Sequence, residues 1–319
     1  MKDEGARNTM AHLSPAAYAA ALACVEADTP PLHRAALSHR VRGGPAVAVV
    51  EALRAHQNGD GGFGRGLELD ILYPGSSPLA TSIAFQWLVR YEDVPGAPDM
   101  IARGVRYFED TVLPERQGWL AQRRELNAYP HAPWWHVDEE TGMCAIDQSW
   151  GNPSAEILGY LWRYRRLLSR LDVGALVATA LGHLASRAPP YESFHEVYCF
   201  IRMRNEMPPD IAKAMEQPLR EAVAALVETD PASWGAYVAK PLDVAPLPES
   251  DRYGIPESAF TAQLDYLVDT LETEGSIAPT WTWGAYEDVW ERQKRRWTGA
   301  LTAQALCTLG AFGRLPPAR

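Results

Sequence analysis

Residues 47–64 read VAVVEALRAHQNGDGGFG, and this stretch decides the fold class. Its first part carries apolar side chains at helical spacing, and its second part is Gln57 followed by Asp60-Gly61-Gly62-Phe63. Because paired glycines permit a tight turn, the pattern predicts a helix that ends in a compact turn closed by an aromatic side chain. Weaker copies of this turn are Gln117-Gly118-Trp119, Trp234-Gly235, Glu274-Gly275 and Trp281-Thr282-Trp283-Gly284. Recurrence over tens of residues is typical of stacked helical units.

Helical periodicity dominates the rest of the chain, with no set of alternating strand patterns. The predicted helices cover residues 15–28, 32–42, 45–57, 78–91, 98–111, 153–170, 173–187, 190–205, 210–228, 257–271 and 296–312. Helices 78–91 and 296–312 are apolar on nearly every side, whereas 98–111 and 210–228 have one apolar stripe. The alternation of these two types predicts inner and outer helices, with an inner helix short or missing near residues 253–262.

The segment from Gln57 to Phe63 resembles the repeat of protein prenyltransferase β subunits and squalene-type terpene cyclases. The resemblance implies an all-α fold in which about six inner and six outer helices form a single α/α toroid, with residues 1–319 as one domain. It also implies structural roles for the motif. The glycines turn the chain, the aromatic residue packs between outer helices, and Gln57 and Asp60 bind neighbouring helix ends.

The sequence departs from these families in the motifs that carry their chemistry. It has no DxDD acid motif, and the nearest feature is Glu68-Leu69-Asp70. It also lacks the DDxxD motif that holds magnesium and any match to the zinc ligands of prenyltransferases. We therefore expect no metal and no other cofactor. A metal site built from His131, His136, Cys144 and Asp138 is the less favoured alternative, because its spacing matches no established zinc pattern.

Composition narrows the range of partners. The formal net charge is −10, so the chain does not attract a phosphate backbone and nucleic acid is not an expected partner. No stretch approaches the ~20 apolar residues that span a bilayer, so no transmembrane segment is expected. The four cysteines are scattered without a CxxC pair, and the first residues lack the apolar core of a signal peptide. These two features predict a cytoplasmic protein, and the oligomeric state stays open.

The long connections between predicted helices are the expected location of a site. They cover residues 58–77, 112–152, 229–256 and 272–295, and in a ring of helix pairs they would all lie at one end. Long loops in a compact domain usually carry function. The inner helices would also direct their N-termini, which carry partial positive charge, toward the same end.

Four residues are predicted to be catalytic: Asp70, Glu68, Asp138 and His136. Glu68 and Asp70 follow the glycine turn and precede an inner helix, where burial would raise a carboxyl pKa enough for alkene protonation. Asp138 and His136 belong to residues 129–138, which read YPHAPWWHVD, and a carboxylate next to an imidazole supports general acid chemistry. The alternative is that these groups cap backbone amides or satisfy backbone carbonyls.

A second set of residues is predicted to bind substrate through aromatic faces and polar groups. Tryptophan faces bind cations or apolar ligands, although they also fill cores. Polar side chains at the start of the helix 190–205 must face a cavity or find buried partners. The set comprises His131, Trp134, Trp135, Glu192, His195, Tyr198, Trp281 and Trp283.

Three functions are compatible with these patterns. The favoured one is a metal-independent, class II-type terpene cyclase, in which a carboxylic acid protonates a small hydrophobic isoprenoid and tryptophans shelter the cation. The second is a carbohydrate-active toroid with carboxylates about 5–10 Å apart. The third is a non-catalytic binding toroid. A deep apolar cavity favours the first, an open groove the second, and a cavity filled by its own side chains the third.

Overall fold

The computed structural model describes residues 11–186 and 193–317, and within these ranges the chain is helical, with isolated bridges but no β-strand. The all-α prediction is therefore confirmed. The twelve α-helices of the described ranges are α1 Pro15–Asp28, α2 Pro31–Arg42, α3 Ala46–Arg54, α4 Pro78–Leu88, α5 Ala97–Thr111, α6 Gly151–Arg163, α7 Val173–Ser186, α8 Phe194–Glu206, α9 Pro209–Leu226, α10 Pro241–Val244, α11 Glu257–Glu274 and α12 Glu287–Ala311.

Helix starts follow the capping residues that the sequence offers. The Ser77 hydroxyl accepts a hydrogen bond from the backbone N–H of Ala80 (3.1 Å), and Pro78 occupies the first helical position of α4. Asp172 caps α7 in the same way, accepting from the N–H of Ala175 (3.1 Å). Each side chain satisfies one of the N–H groups that a helix leaves without an internal partner.

Two predicted helices have clearly different bounds in the structure, and one helix was not predicted. α6 ends at Arg163 instead of residue 170, and a short 3₁₀ turn follows it. α12 begins at Glu287, nine residues before the predicted start at 296. Its first turns are strongly charged and lack apolar periodicity, but acidic residues at the N-terminus complement the helix dipole. The short α10 was not predicted, because four residues are too few to establish a helical period.

The motif that resembles the prenyltransferase repeat makes structural contacts. The Gln57 amide donates to the carbonyls of Gly61 (2.9 Å) and Met100 (3.0 Å), so it ties its own turn to α5. Asp60 accepts from the backbone N–H of Gly62 (3.0 Å). Gly61 has a positive φ of 90°, and the Phe63 side chain is fully buried. Gln57 therefore binds a neighbouring helix as the resemblance implies, whereas Asp60 bonds only within residues 58–77 in the described part of the chain.

Two of the weaker copies of the turn share this burial of the aromatic residue. Trp119 and Trp234 are both fully buried. The indole of Trp119 donates to the carbonyl of Phe108 in α5 (3.0 Å), and that of Trp234 donates to the carbonyl of Glu228 just after α9 (2.9 Å). Each indole therefore satisfies a carbonyl near the end of the preceding helix.

The helices divide into two packing types. α4 and α6 are buried on nearly every side, whereas α5 and α9 bury a single face. Each helix of the first type packs against a one-sided helix that follows it, as α4 does with α5 and α6 does with α7. α6 also packs against α4 and α8, so the fully buried helices contact one another.

The four long connections contact one another in the described part of the chain. Residues 58–77 pair with 112–152 through a backbone bridge between Ile71 and His131. Residues 272–295 reach the first connection through a hydrogen bond from Trp283 to Asp70 (2.8 Å). Residues 229–256 reach 272–295 through the rings of Tyr237 and Trp281, whose centroids are 5.7 Å apart. Most of the predicted site residues lie on these connections.

Candidate functional site

Asp70 lies at the centre of the site and is held by tryptophan side chains. Its Oδ1 accepts hydrogen bonds from the indole N–H groups of Trp283 (2.8 Å) and Trp297 (2.6 Å), and the side chain is only 5% exposed. Burial raises the pKa of this carboxyl, and the indole donors oppose that rise because they stabilise the ionised form. The sequence analysis missed Trp297, which lies inside α12 away from the aromatic-rich connection.

Glu68 is the partner of Asp70 and stays partly accessible to solvent. Its Oε1 accepts the backbone N–H of Asp70 (3.0 Å), so the two carboxyl groups share one short turn. Burial raises the pKa of Glu68 to about 8, and the negative charge of Asp70 is the second largest cause of this rise. Glu68 is therefore mostly protonated at neutral pH, as a general acid must be.

His131 and His136 lie beside this carboxyl pair. The backbone N–H of Ala132 donates to the carbonyl of Asp70 (2.9 Å), which fixes the histidine segment against the turn. Nδ1 of His131 lies 2.6 Å from the carbonyl of Tyr129, to which it can only donate, so Nε2 accepts from Nδ1 of His136 (3.3 Å). Burial lowers the pKa of His131, and the two rings stack 5.4 Å apart. This arrangement favours a neutral His131, with His136 beside it and exposed to solvent.

The predicted tryptophans pack together beside the carboxyl pair. Trp135 and Trp283 are buried, and Trp134 and Trp281 are half-buried in the same apolar cluster. The ring of Trp281 meets the edge of Trp297 at 5.1 Å, the same tryptophan that donates to Asp70. These residues therefore form one aromatic cluster, which reaches Asp70 through Trp283 and Trp297.

His195 and Tyr198 join the site through a residue that the sequence analysis missed, Tyr237. Nε2 of His195 lies 2.7 Å from the Tyr237 hydroxyl, and Tyr237 contacts Trp281. Burial, followed by the charge of Arg202, lowers the pKa of His195 to about 4, so its ring is neutral at pH 7 and can accept the hydroxyl proton. The available signal was the Trp234-Gly235 copy of the turn, three residues before Tyr237.

Tyr237 lies within electrostatic reach of three carboxyl groups. It is 52% exposed, yet its pKa is raised to about 12 by partial burial and then by the charges of Asp70, Glu68 and Asp243. Asp243, at α10, accepts a hydrogen bond from the Tyr198 hydroxyl (3.4 Å). It is exposed to solvent, but surrounding protein desolvates it enough to raise its pKa. Exposure combined with desolvation is expected of a carboxylate on a concave surface.

Two predicted residues stand outside this group. Asp138 lies in an exposed turn and accepts hydrogen bonds from the backbone N–H and hydroxyl of Thr141 (2.8 and 2.9 Å). These bonds lower the pKa of Asp138, so it is ionised at neutral pH and has the environment of a turn cap. Glu192 lies outside the described residues, as does the start of the predicted helix 190–205.

No group of three or more His, Cys, Asp or Glu side chains in residues 11–186 and 193–317 is arranged to hold a metal ion. Cys144, named above in the alternative metal set, is buried and donates to Asp147 Oδ2 (3.1 Å). No helix in the described part of the chain has both the length and the apolar character to cross a membrane. Comparison with protein-family models, curated proteins and solved structures gives no match to this chain.

Proposed function

We propose that the helices close into a single α/α toroid with its long connections at one rim. A circuit of contacts supports this arrangement. α12 packs against α2, α4 against α6, α6 against α8, and α8 against α10. His33 of α2 contacts Trp87 of α4 at 5.6 Å, and Tyr237, Trp281 and Trp297 connect the α10 side to α12. A chain of neighbours that returns to its start is what a ring requires.

We further propose that the protein is an enzyme that protonates a small hydrophobic isoprenoid, as class II-type terpene cyclases do. The observation that carries this proposal is the Glu68–Asp70 pair. Glu68 holds a proton at neutral pH and remains accessible, while the indoles of Trp283 and Trp297 hold Asp70 beside it. A protonated, accessible carboxyl next to aromatic faces has the parts needed to protonate an alkene and shelter the resulting cation. The cavity beside Glu68 is only about 10 Å³, so the substrate would bind on the aromatic surface outside it and not in a deep apolar cavity.

The rest of the site supplies a proton acceptor. The Tyr237 hydroxyl points to neutral His195, and Tyr237 contacts the aromatic surface through Trp281. A cation at the far end of the substrate would lose a C–H proton to the Tyr237 oxygen as that oxygen passes its own proton to His195. The imidazolium then releases its proton to solvent, and Glu68 regains one, so the cycle consumes no proton.

A carbohydrate-active enzyme is the second candidate. It is favoured by the proximity of Tyr237 to the Glu68–Asp70 pair and to Asp243, because several carboxyl groups near one exposed aromatic side chain suit acid–base work on a sugar. For either candidate function, we also propose a cytoplasmic location. All four cysteines are unpaired, as expected in a reducing compartment.

The test uses purified full-length protein in D₂O with linear isoprenoid alcohols, diphosphates and terminal epoxides, and in parallel with oligosaccharides. We expect a cyclised isoprenoid that carries one solvent deuterium on carbon. Glu68→Gln should lower its formation by at least about 100-fold, since general acids contribute on that order. Asp70→Asn should also lower it, and Asp138→Asn is the matched control.

Two results would reject the cyclase proposal. One is the absence of any deuterated product with every isoprenoid, and the other is full turnover by Glu68→Gln. Release of reducing sugar that depends on Glu68 and Asp243 would instead establish the second candidate.

A further inference from the structure

A small cavity next to Glu68 contains a polar side chain that the proposed reaction does not use. The cavity has a volume of about 10 Å³, and Glu68, Tyr73, Ser77, Ala80 and Gln122 are among its lining residues. That volume is near the minimum that holds one water molecule.

The unused side chain belongs to Gln122. It is 3% exposed, and neither the oxygen nor the nitrogen of its amide has a hydrogen-bond partner among the described residues. An unpartnered buried amide costs about 1–3 kcal/mol, so its retention beside a cavity indicates a bound polar group.

The backbone fixes Gln122 in this position. The preceding residue, Ala121, donates its N–H to Asp147 Oδ1 (2.6 Å) and accepts from the N–H of Leu79 at the start of α4 (3.2 Å). Asp147 therefore anchors this segment. Because Ala121 is held on both sides, the Gln122 side chain stays next to the first turn of α4 and faces the cavity that Glu68 also lines.

We propose that the cavity binds one water molecule that links the Gln122 amide to the Glu68 carboxyl, and that Gln122 is thereby a positioning residue for the acid. An amide both donates and accepts, so it can orient a water toward either protonation state of a carboxyl. The role of this water-mediated contact in catalysis rests on the proposed function. The contact itself can be tested without measuring turnover.

The other groups around Glu68 set its proton affinity together with this water. Asp70 raises the pKa of Glu68 by its charge, while Tyr73 lines the same cavity and Tyr237 lies within electrostatic reach. Both tyrosines have raised pKa values and stay neutral at pH 7. The bound water would be the group that solvates ionised Glu68 from the cavity side, so its loss should raise the pKa further.

The test is a titration of ¹³C-labelled glutamate carboxyls by NMR, with the Glu68 signal assigned by its absence in Glu68→Gln. Gln122→Met keeps the side-chain volume but removes the amide, and we expect it to raise the Glu68 pKa by about half a unit or more. Ala80→Val keeps Gln122 but fills the cavity, and it should raise the pKa to a similar extent. Gln263→Met, which removes a buried amide at α11, should leave the Glu68 pKa unchanged.

Three results would overturn the inference. The first is an unchanged pKa in Gln122→Met. The second is a rise in Gln122→Met without one in Ala80→Val, which would mean that the amide acts without water. The third is an equal rise of the Glu68 pKa in Gln263→Met, which would mean that any destabilising substitution raises this pKa. None of these results depends on whether isoprenoids are turned over, so failure of this inference is separate from failure of the proposed reaction.

Discussion

At the scale of single residues, the chemistry depends on two carboxyls in one turn with different surroundings. Asp70 is buried and accepts two indole donors, while Glu68 is partly accessible and accepts only a backbone N–H. Close carboxyls cannot both ionise without cost, and the indole donors favour the charge on Asp70. The proton therefore stays on Glu68, the group that a ligand can reach.

The pH dependence of stability should report this proton. Glu68 has a pKa of about 8 in the folded protein against 4.5 in the unfolded chain, so the folded state binds the proton more tightly. Its stabilisation is complete below pH 4.5 and is lost as the pH rises through 8. We expect the unfolding free energy of the wild type, minus that of Glu68→Gln, to fall by about 3–5 kcal/mol over this window. Urea unfolding at a series of pH values measures it.

Asp138→Asn is the control for this experiment. The pKa of Asp138 is lowered, so its stabilisation is present above its unfolded pKa of 3.8 and is lost only as the pH falls further. The unfolding free energy of the wild type, minus that of Asp138→Asn, should therefore stay constant between pH 5 and 8. A level difference for Glu68→Gln as well would contradict the assignment of a raised pKa to Glu68.

At the scale of helices, close packing depends on where glycines lie. In α6, a Cβ placed on Gly159 would lie 2.8 Å from the Met203 Cα of α8, closer than real contacts allow. In α7, a Cβ on Gly182 would meet no atom within 4 Å. The first glycine therefore permits a helix crossing, and the second has no such role.

These two glycines give a matched pair of predictions. Gly159→Ala should lower the free energy of unfolding by about 1–3 kcal/mol, because α6 and α8 must move apart. Gly182→Ala should raise it by about 0.5–1 kcal/mol, because alanine loses less conformational entropy in a helix. Chemical denaturation of both variants checks the signs. Stabilisation by Gly159→Ala would mean that the two helices are not in close contact.

The sequence predicted helices well where capping and periodicity agreed. α1 has the predicted bounds, and α4 begins at the predicted Ser77-Pro78 start. The start of α12 was missed because its first turns are charged and give no apolar stripe. α10 was missed because four residues are too few to establish a helical period, and part of its support comes from another helix. The N–H of Leu242 donates to Gln263 of α11 (2.7 Å), and no local pattern contains that bond.

At the scale of the whole molecule, the two ends of the described chain are joined. Arg314 is 1% exposed and donates to the carbonyl of Ala11 and to Asp265 in α11, both at 2.8 Å. The backbone N–H of Leu13 donates to the carbonyl of Arg314 (2.9 Å). This junction links the first and last helices to α11, and α1 also packs against α12.

Arg314→Met should weaken this junction without removing its apolar packing. We expect a loss of about 2–4 kcal/mol in the free energy of unfolding, because buried hydrogen bonds to a charged group are lost and the Ala11 carbonyl loses its partner. Unfolding should remain a single transition if residues 1–319 form one domain. Arg292→Met, at an exposed position in α12, should change stability by less than about 0.5 kcal/mol. Two separate transitions would contradict the single-domain prediction.

The candidate site was predictable in its residue types and only partly in its membership. Glu68, Asp70, His131 and the tryptophans were identified because polar and aromatic residues in long connections are visible in the sequence. Asp138 looked equivalent to Asp70, but its carboxyl caps its own turn. Trp297 and Gln122 carried no local signal, since their importance depends on contacts with residues far away in the chain. For Tyr237 the only local signal was the Trp234-Gly235 turn that precedes it.

The amino-acid sequence by itself determined the helical class, most helix bounds and the glycine–aromatic turns, because these depend on interactions between residues a few positions apart. Only the tertiary structure decided which carboxyl holds a proton and which is a turn cap. A pKa depends on burial and on charges brought close in space. Asp70 and Trp297 are 227 positions apart in the chain but 2.6 Å apart in the fold.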